Sequence, residues 1–247
     1  MVDEWLSRTE LLVGKENIKR LKKAHVLVVG LGGVGGYAAE NICRAGVGKM
    51  TIVDGDVIGV TNRNRQLPAV KSNEGKLKAE IIGKRLLDIN PALKLEVIPE
   101  YIKEERIEEI LKMHPYDYVV DAIDTLSPKI NLIYRCMSNN LKLVSSMGSG
   151  GKLDPTQIRI TDFSKTYNCR LAYILRKKLR KMGVTTGFKV VFSAEKTSGE
   201  IVPVEEQNKK SVIGTISYMP PVFGCFITSV VVNDLIEMQD TGSMNQD

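Results

Sequence analysis

Paired cysteines are missing from this 247-residue chain: its four, Cys43, Cys136, Cys169 and Cys225, lie far apart and form no C-x-x-C motif. That spacing argues against a disulfide framework and a four-cysteine zinc site, so no zinc is expected, and it suits a reducing cytoplasm. Aromatic residues are only 6% of the chain, too few for a surface of stacking platforms along single-stranded nucleic acid, although a folded RNA stays open as a partner. The opening MVDEWLSRTE lacks the basic-then-apolar order of a secretory signal. No repeat or low-complexity linker divides the chain. Long apolar runs are scarce too. Ile216 to Ile236 has the length of a membrane span, but it contains Pro220, Pro221, Asn233 and Asp234. A buried helix covering a sheet is therefore expected, with no integral span and with only peripheral membrane association left open.

What is present describes a globular chain, with 43% hydrophobic residues and a formal net charge of +6. The positive excess leans toward a polyanionic partner. It gathers in two runs, Lys15 to Lys23 and Arg176 to Lys181, each of which reads equally as a solvated helix face. His25 and His114 flank predicted elements without partners and receive no role.

From Ala24 the order is an apolar run (HVLVV), a glycine loop, a helix with Val34, Ala38, Ile42 and Ala45 on one face, and a second apolar run ending in Asp54. This is a βαβ unit. A polar loop over Gly59 to Lys71 follows, then a helix through about Leu87, a strand around Leu95 to Ile98, a helix over Glu104 to Met113 and the run DYVVDA. A helix over Lys129 to Asn140 and the strand KLVSS continue the alternation. The pattern predicts an α/β fold: a Rossmann-like, doubly wound, mainly parallel sheet. After Gly148, GSGG reads as a flexible turn, QIRIT and FKVVF as later strands, Ser198 to Ser211 as a polar loop, and Pro221 to Met238 as a closing helix. This C-terminal portion is expected to extend the same domain.

Gly30, Gly32, Gly33 and Gly35 satisfy G-x-G-x-x-G between a strand and a helix, where backbone and helix N-terminus can approach a phosphate. The loop alone does not separate NAD from ATP. Asp54, at a strand end, is placed to accept hydrogen bonds from ribose hydroxyls, and Asp56 can share that edge. Beyond it come Asn62, Arg65 and Lys78, cations that suit a triphosphate attacked at its α-phosphate better than a nicotinamide pocket. Asp121 and Asp124 fall at the carboxyl end of another predicted strand, where a carboxylate can hold Mg2+ or, for Asp124 or Thr125, cap a helix.

Together GLGGVGG, VDGD, TNRNRQ, the lysine of KLKAE, and VVDAIDT resemble the ubiquitin-activating-enzyme-like superfamily of HesA, MoeB and ThiF over about residues 5 to 147. The resemblance implies one adenylation domain over 1–240, with a nucleotide-binding core at 24–147, a substrate and dimer part at 148–240, and a flexible tail at 241–247. It implies ATP and Mg2+, with Asp54 as ribose ligand, Asn62 lining the ATP site, Arg65 and Lys78 as phosphate-binding catalytic residues, and Asp124 as the Mg2+-linked acid. Arg8, in LSRTELL, is similar to an arginine that the family inserts into a partner subunit's ATP site, which implies a homodimer.

The later segments MGSGGKLDPTQIRITDFSKT, RKKLRKMG and VVFSAE resemble the tRNA threonylcarbamoyladenosine dehydratase branch. There ATP activates the carboxylate of a modified tRNA nucleoside, which then cyclises with loss of AMP. A monovalent cation, K+ or Na+, and a cysteine desulfurase or sulfur-acceptor system are left open; DNA is not expected. The alternative in the same superfamily is activation of the C-terminal glycine of a ubiquitin-like sulfur carrier, in which Cys169, near Lys165, would take part. An NAD dehydrogenase would leave Arg65 and Lys78 without a task, and a non-catalytic module would not need the full set of charges.

Overall fold

Short runs rich in Val and Ile, alternating with helical patterns, build a seven-stranded sheet in the computed structural model, which describes residues 3–199, 201–206 and 209–236. The chain starts with two short helices, α1 (Ser7–Val13) and α2 (Lys15–Lys23), then alternates: β1 (His25–Val29), α3 (Gly35–Arg44), β2 (Lys49–Val53), α4 (Lys78–Ile89), β3 (Lys94–Ile98), α5 (Glu104–Met113), β4 (Tyr118–Asp121), α6 (Leu126–Ser138) and β5 (Leu143–Ser146). It closes with β6 (Ile158–Asp162), α7 (Arg170–Arg180), β7 (Lys189–Ser193), β8 (Ile201–Glu206), β9 (Lys209–Ile213) and α8 (Met219–Ile236).

The sheet order is β3-β2-β1-β4-β5-β7-β6, parallel except that β6 runs against β7. Strands β6 and β7 come from the C-terminal portion and extend the sheet begun by β1. The chain winds outward from β1 through β2 and β3, then returns to place β4 on the other side of β1. A crevice opens at such a switch point beyond the strand ends, and it is the general ligand site of doubly wound sheets.

Both faces are covered, so β1 is buried along its whole length. On one face α3, α4 and α8 pack with Val26, Val28, Ile52, Phe223, Ile227 and Val231; on the other α5, α6 and α7 pack with Leu27, Val119, Ile133 and Leu175. Helix α8 is long and apolar enough to cross a membrane by length and composition, yet half of it is buried, against α3 and the sheet, like a core helix. Burial of a side chain such as Phe223 is worth about 2–3 kcal/mol.

Several sequence expectations change. The segment from Ser198 to Ser211 is not a plain loop: β8 and β9 pair as a small antiparallel sheet, Val202 opposite Val212. The charged stretch EEQNKK dominates its composition and masks the short apolar arms IVPV and SVI. The GSGG turn is closely packed, because a methyl on Gly151 would stand 2.5 Å from Ser198 O and one on Gly150 would stand 2.5 Å from Ile213 Cγ2. Helix α6 starts at Leu126, before Pro128, since a proline is tolerated in a helix's first turn.

Nor are the histidines without partners. His25 Nε2 lies 3.0 Å from Thr51 Oγ1, and His114 Nε2 lies 2.7 Å from Glu96 Oε2. The residues expected to form a C-terminal tail lie outside the described residues.

Candidate functional site

The glycine loop is built by close backbone approach. Gly30 has φ +88°, and a methyl there would lie 2.7 Å from Ala122 O on the turn after β4. At Gly35 a methyl would lie 1.7 Å from Gly30 O, so the loop closes on itself only with glycine. Gly33 is confined by Pro220 Cβ at 2.9 Å and Arg65 O at 3.3 Å from such a methyl. Gly32 differs, because its nearest neighbour would be Gln66 Nε2 at 3.7 Å. The loop leads into α3, whose N-cap position, Val34, offers no side-chain cap, so this N-terminus is suited to an anion.

Asp54 follows β2 and binds this loop: its Oδ2 accepts from Leu31 N at 2.6 Å and its Oδ1 from Asp56 N at 2.8 Å. Burial pushes its carboxyl above the ordinary carboxylate value, while Lys78 and the two backbone donors pull it down. Each oxygen retains a lone-pair site for a further donor such as a ribose hydroxyl. Asp56 sits between two groups, with Oδ2 2.6 Å from Lys78 Nζ and Oδ1 accepting from Tyr101 OH at 2.6 Å. The carboxylate raises the Tyr101 hydroxyl's pKa to about 12. Lys78 opens α4 and is almost fully buried, so Asp56 holds the ammonium group in place.

The segment from Thr61 to Gln66 folds as a 3-10 turn and tight loop between the glycine loop and Lys78. Asn62 Oδ1 accepts from Gly59 N at 3.0 Å, which caps that turn. Arg65 donates through Nη1 to Thr61 O at 3.0 Å and Asn64 Oδ1 at 2.8 Å. Neither partner is a carboxylate, so its positive charge is available to phosphate. Gln66 is buried, and its Oε1 is the one buried side-chain N or O atom without a hydrogen-bond partner among the described residues. Such an orphan next to Gly32 fits a ligand that brings a donor.

The two acids after β4 separate. Asp121 is wholly buried, 2.7 Å from the equally buried Lys129 Nζ, and its Oδ2 also accepts from Ser145 Oγ at 2.6 Å. That fixes Asp121 in the core rather than at a metal. Asp124 is exposed in the turn ahead of α6, and Thr125 takes the N-cap position without a side-chain bond.

The structure therefore brings Gly30, Gly32, Gly33, Gly35, Asp54, Asp56, Asn62, Arg65, Lys78 and Asp124 to one edge of the sheet. It does not bring Arg8 there. Leu6, just before α1, packs where a methyl on Gly46 would meet it at 3.0 Å, beyond the C-terminal end of α3, about 15 Å of helix from the glycine loop. Sequence reasoning gave no role to Tyr101, Lys129, Ser145 and Gln66; of these only Gln66 carried a signal, as the last residue of TNRNRQ.

Comparison with known proteins adds to this geometry. The model of the ThiF family matches residues 6–245. A tRNA threonylcarbamoyladenosine dehydratase of Bacillus subtilis (strain 168) is 41% identical over 226 residues, 91% of this chain and 88% of the relative. The Escherichia coli (strain K12) protein of the same name is 39% identical over 203 residues, 78% of this chain and 75% of the relative. The crystal structure of E. coli tRNA N6-threonylcarbamoyladenosine dehydratase, TcdA, in complex with ATP superposes with a TM-score of 0.88 at 33% identity, covering 98% of this chain and 100% of that one.

Proposed function

The chain belongs to the ThiF family, and from that premise we propose that it is an ATP-dependent tRNA threonylcarbamoyladenosine dehydratase. The observation that carries the reading is the convergence of a glycine loop left open at Gly32, the orphaned Gln66 amide oxygen and the cations Arg65 and Lys78 at the switch-point crevice. These fit a nucleotide triphosphate, with the phosphates on the glycine loop and the ribose at Asp54.

In this reaction a carboxylate oxygen of the threonylcarbamoyl group attacks the α-phosphorus of ATP, the bond to the β-phosphate breaks and pyrophosphate leaves. A neighbouring group of the same modification then attacks the acyl carbon, the ring closes and AMP leaves, so the nucleoside loses one water. Arg65 and Lys78 stabilise the charge that builds on the phosphates. Asp56 keeps Lys78 aimed, and Asn62 keeps the loop of Arg65 folded. No enzyme nucleophile is required, and positioning supplies much of the rate.

Among the described residues no group of three or more His, Cys, Asp or Glu could cage a metal ion. Asp124 alone fits Mg2+ held chiefly by nucleotide phosphates, where the ion would neutralise phosphate charge. A homodimer belongs to the same reading: Arg8 lies on α1, which exposes Leu11 and Leu12 almost fully, a surface suited to a second copy. So does a cytoplasmic location, supported by four free cysteines.

The test is AMP release by the purified protein with tRNA bearing threonylcarbamoyladenosine, unmodified tRNA serving as control, under varied K+ and Mg2+. AMP formed only with the modified tRNA, with loss of one water from that nucleoside, is the expected result. Turnover with neither tRNA, but adenylation of a carrier protein's C-terminal glycine, would overturn it in favour of sulfur-carrier activation.

A further inference from the structure

The two basic runs of the sequence carry five cations each and differ in how those charges are partnered. On α2, Lys15, Lys19 and Lys22 are paired with Glu10, Glu16 and Asp3 at 3.9, 2.7 and 2.9 Å. Helix α7, RLAYILRKKLR, contains no acidic residue. Among the described residues no carboxylate pairs with Arg170, Lys177, Lys178, Arg180 or Lys181, and each of the five is exposed. Arg176 is set apart, since it is spent on a hydrogen bond to Thr166 Oγ1.

Helix stabilisation accounts for only part of this charge. Cations in the last turn are favourable toward the macrodipole, but Arg170 opens the helix, where a positive charge is unfavourable. At helical spacing Arg170, Tyr173, Lys177 and Lys181 form one outer stripe, flanked by Lys178 and opposite the buried Ala172, Leu175 and Leu179. Tyr173 is 62% exposed in the middle of it. A cleft of about 390 Å3 lined by Tyr173, Ile174, Lys177, Lys178 and Lys181 follows the stripe.

The placement ties this face to the crevice. Cys169, at the N-cap of α7, lies against Gly148, two residues beyond the carboxyl end of β5, the same sheet edge that carries the glycine loop and Asp124. From there the stripe runs about 16 Å down the side of the molecule. A ligand with one end in the crevice and a run of phosphates beyond it can therefore lie along α7.

Resting on the dehydratase reading, we infer that the outer face of α7 is where the substrate tRNA docks: Arg170, Lys177, Lys178 and Lys181 contact phosphates, and Tyr173 stacks on an unpaired base or packs on a ribose. Cations that lack carboxylate partners release counterions from RNA at no cost in broken ion pairs, and the exposed tyrosine among them offers a ring face on which a base can stack.

The test compares two variants that reverse two charges each, K177E/K181E on α7 and K19E/K23E on α2, together with Tyr173→Ala. Affinity for tRNA bearing threonylcarbamoyladenosine is measured across a salt series, and ATP affinity on the same preparations. The α7 variant is expected to lose about tenfold or more in tRNA affinity, with a salt slope shallower by about two, while ATP affinity and the circular dichroism spectrum hold. Tyr173→Ala is expected to lose about tenfold at all salt concentrations. K19E/K23E should bind as the parent does.

Equal losses in the two charge variants would assign the effect to net charge and overturn the docking face, as would unchanged binding by K177E/K181E. Capture of the protein by phosphatidylserine vesicles through α7, with no α7 dependence of tRNA binding, would assign the face to membranes instead. If the parent dehydrates tRNA but the α7 variant binds it normally, this inference alone fails; if the parent neither binds nor converts tRNA, both readings fail.

Discussion

Lys129 Nζ lies 2.7 Å from Asp121 Oδ2 with both side chains wholly buried, and the pair fastens the turn that carries Asp124. Lys129 also donates to Ile123 O at 3.1 Å, and Asp121 Oδ1 accepts from Ile123 N at 3.1 Å. Removing one partner leaves a buried charge uncompensated, whereas removing both charges does not. Lys129→Met should lower unfolding free energy by about 3–5 kcal/mol in urea titrations, and D121N/K129M should recover most of that loss. Equal destabilisation in the two would show that the pairing is not what the site requires.

The glycines of the loop should divide into two kinds. Gly35→Ala drives a methyl into Gly30 O and is expected to yield little folded protein. Gly32→Ala meets only Gln66 Nε2 at 3.7 Å, so the fold should survive. The same methyl narrows the space proposed for phosphate and should weaken ATP binding about tenfold or more, as measured by calorimetry on the folded variant. Wild-type affinity in Gly32→Ala would remove the phosphates from this part of the loop.

Features with a local signature were legible in the sequence: β1 from its unbroken apolar run, the loop from Gly30 to Gly35 between strand and helix, and Asp54 at a strand end. The helix over Glu104 to Met113 is legible to the residue because its periodicity and flanks agree. Lys129 was not legible, since a lysine in LSPKIN reads as solvated until β4 and β5 bring Asp121 and Ser145 beneath it. The hairpin of β8 and β9 was hidden for a related reason: its pairing is cross-strand, and the charges at its end outweigh its apolar arms. Tyr101 reaches Asp56 from 45 residues away, a separation that no local pattern encodes.

Asp56 is predicted to act through Lys78. Its carboxylate is 2.6 Å from the ammonium, which is otherwise enclosed by protein. Lys78→Ala should reduce adenylation about 100- to 1,000-fold, as loss of a charge-stabilising donor does. Asp56→Asn keeps the shape but weakens a charged hydrogen bond, so a loss of about 10- to 100-fold is expected. Adding Asp56→Asn to Lys78→Ala should then cost little more, because its effect runs through a side chain already gone. Fully additive losses in single-turnover assays would give Asp56 an independent role, such as direct contact with the ribose.

His25 should make the fold sensitive to acid. Burial, with His114 and Lys49 nearby, lowers its pKa to about 4, outweighing Asp117 and Glu96, which pull it up. In the unfolded chain the value is about 6.5. Between these two values the unfolded chain binds a proton that the folded chain does not, so unfolding free energy rises with pH across the window. The contribution is complete above about pH 6.5 and is lost as pH falls toward about 4, with a total on the order of 3 kcal/mol. His25→Gln can still reach Thr51 and does not titrate. Denaturant unfolding at pH 7 and pH 4.5 should show the parent losing more stability than the variant, since carboxylate titration is common to both. Parallel losses would mean that the ring of His25 gains a proton in the fold as readily as in the unfolded chain, and that the cluster with His114 and Tyr116 at the start of β1 does not exclude the charge.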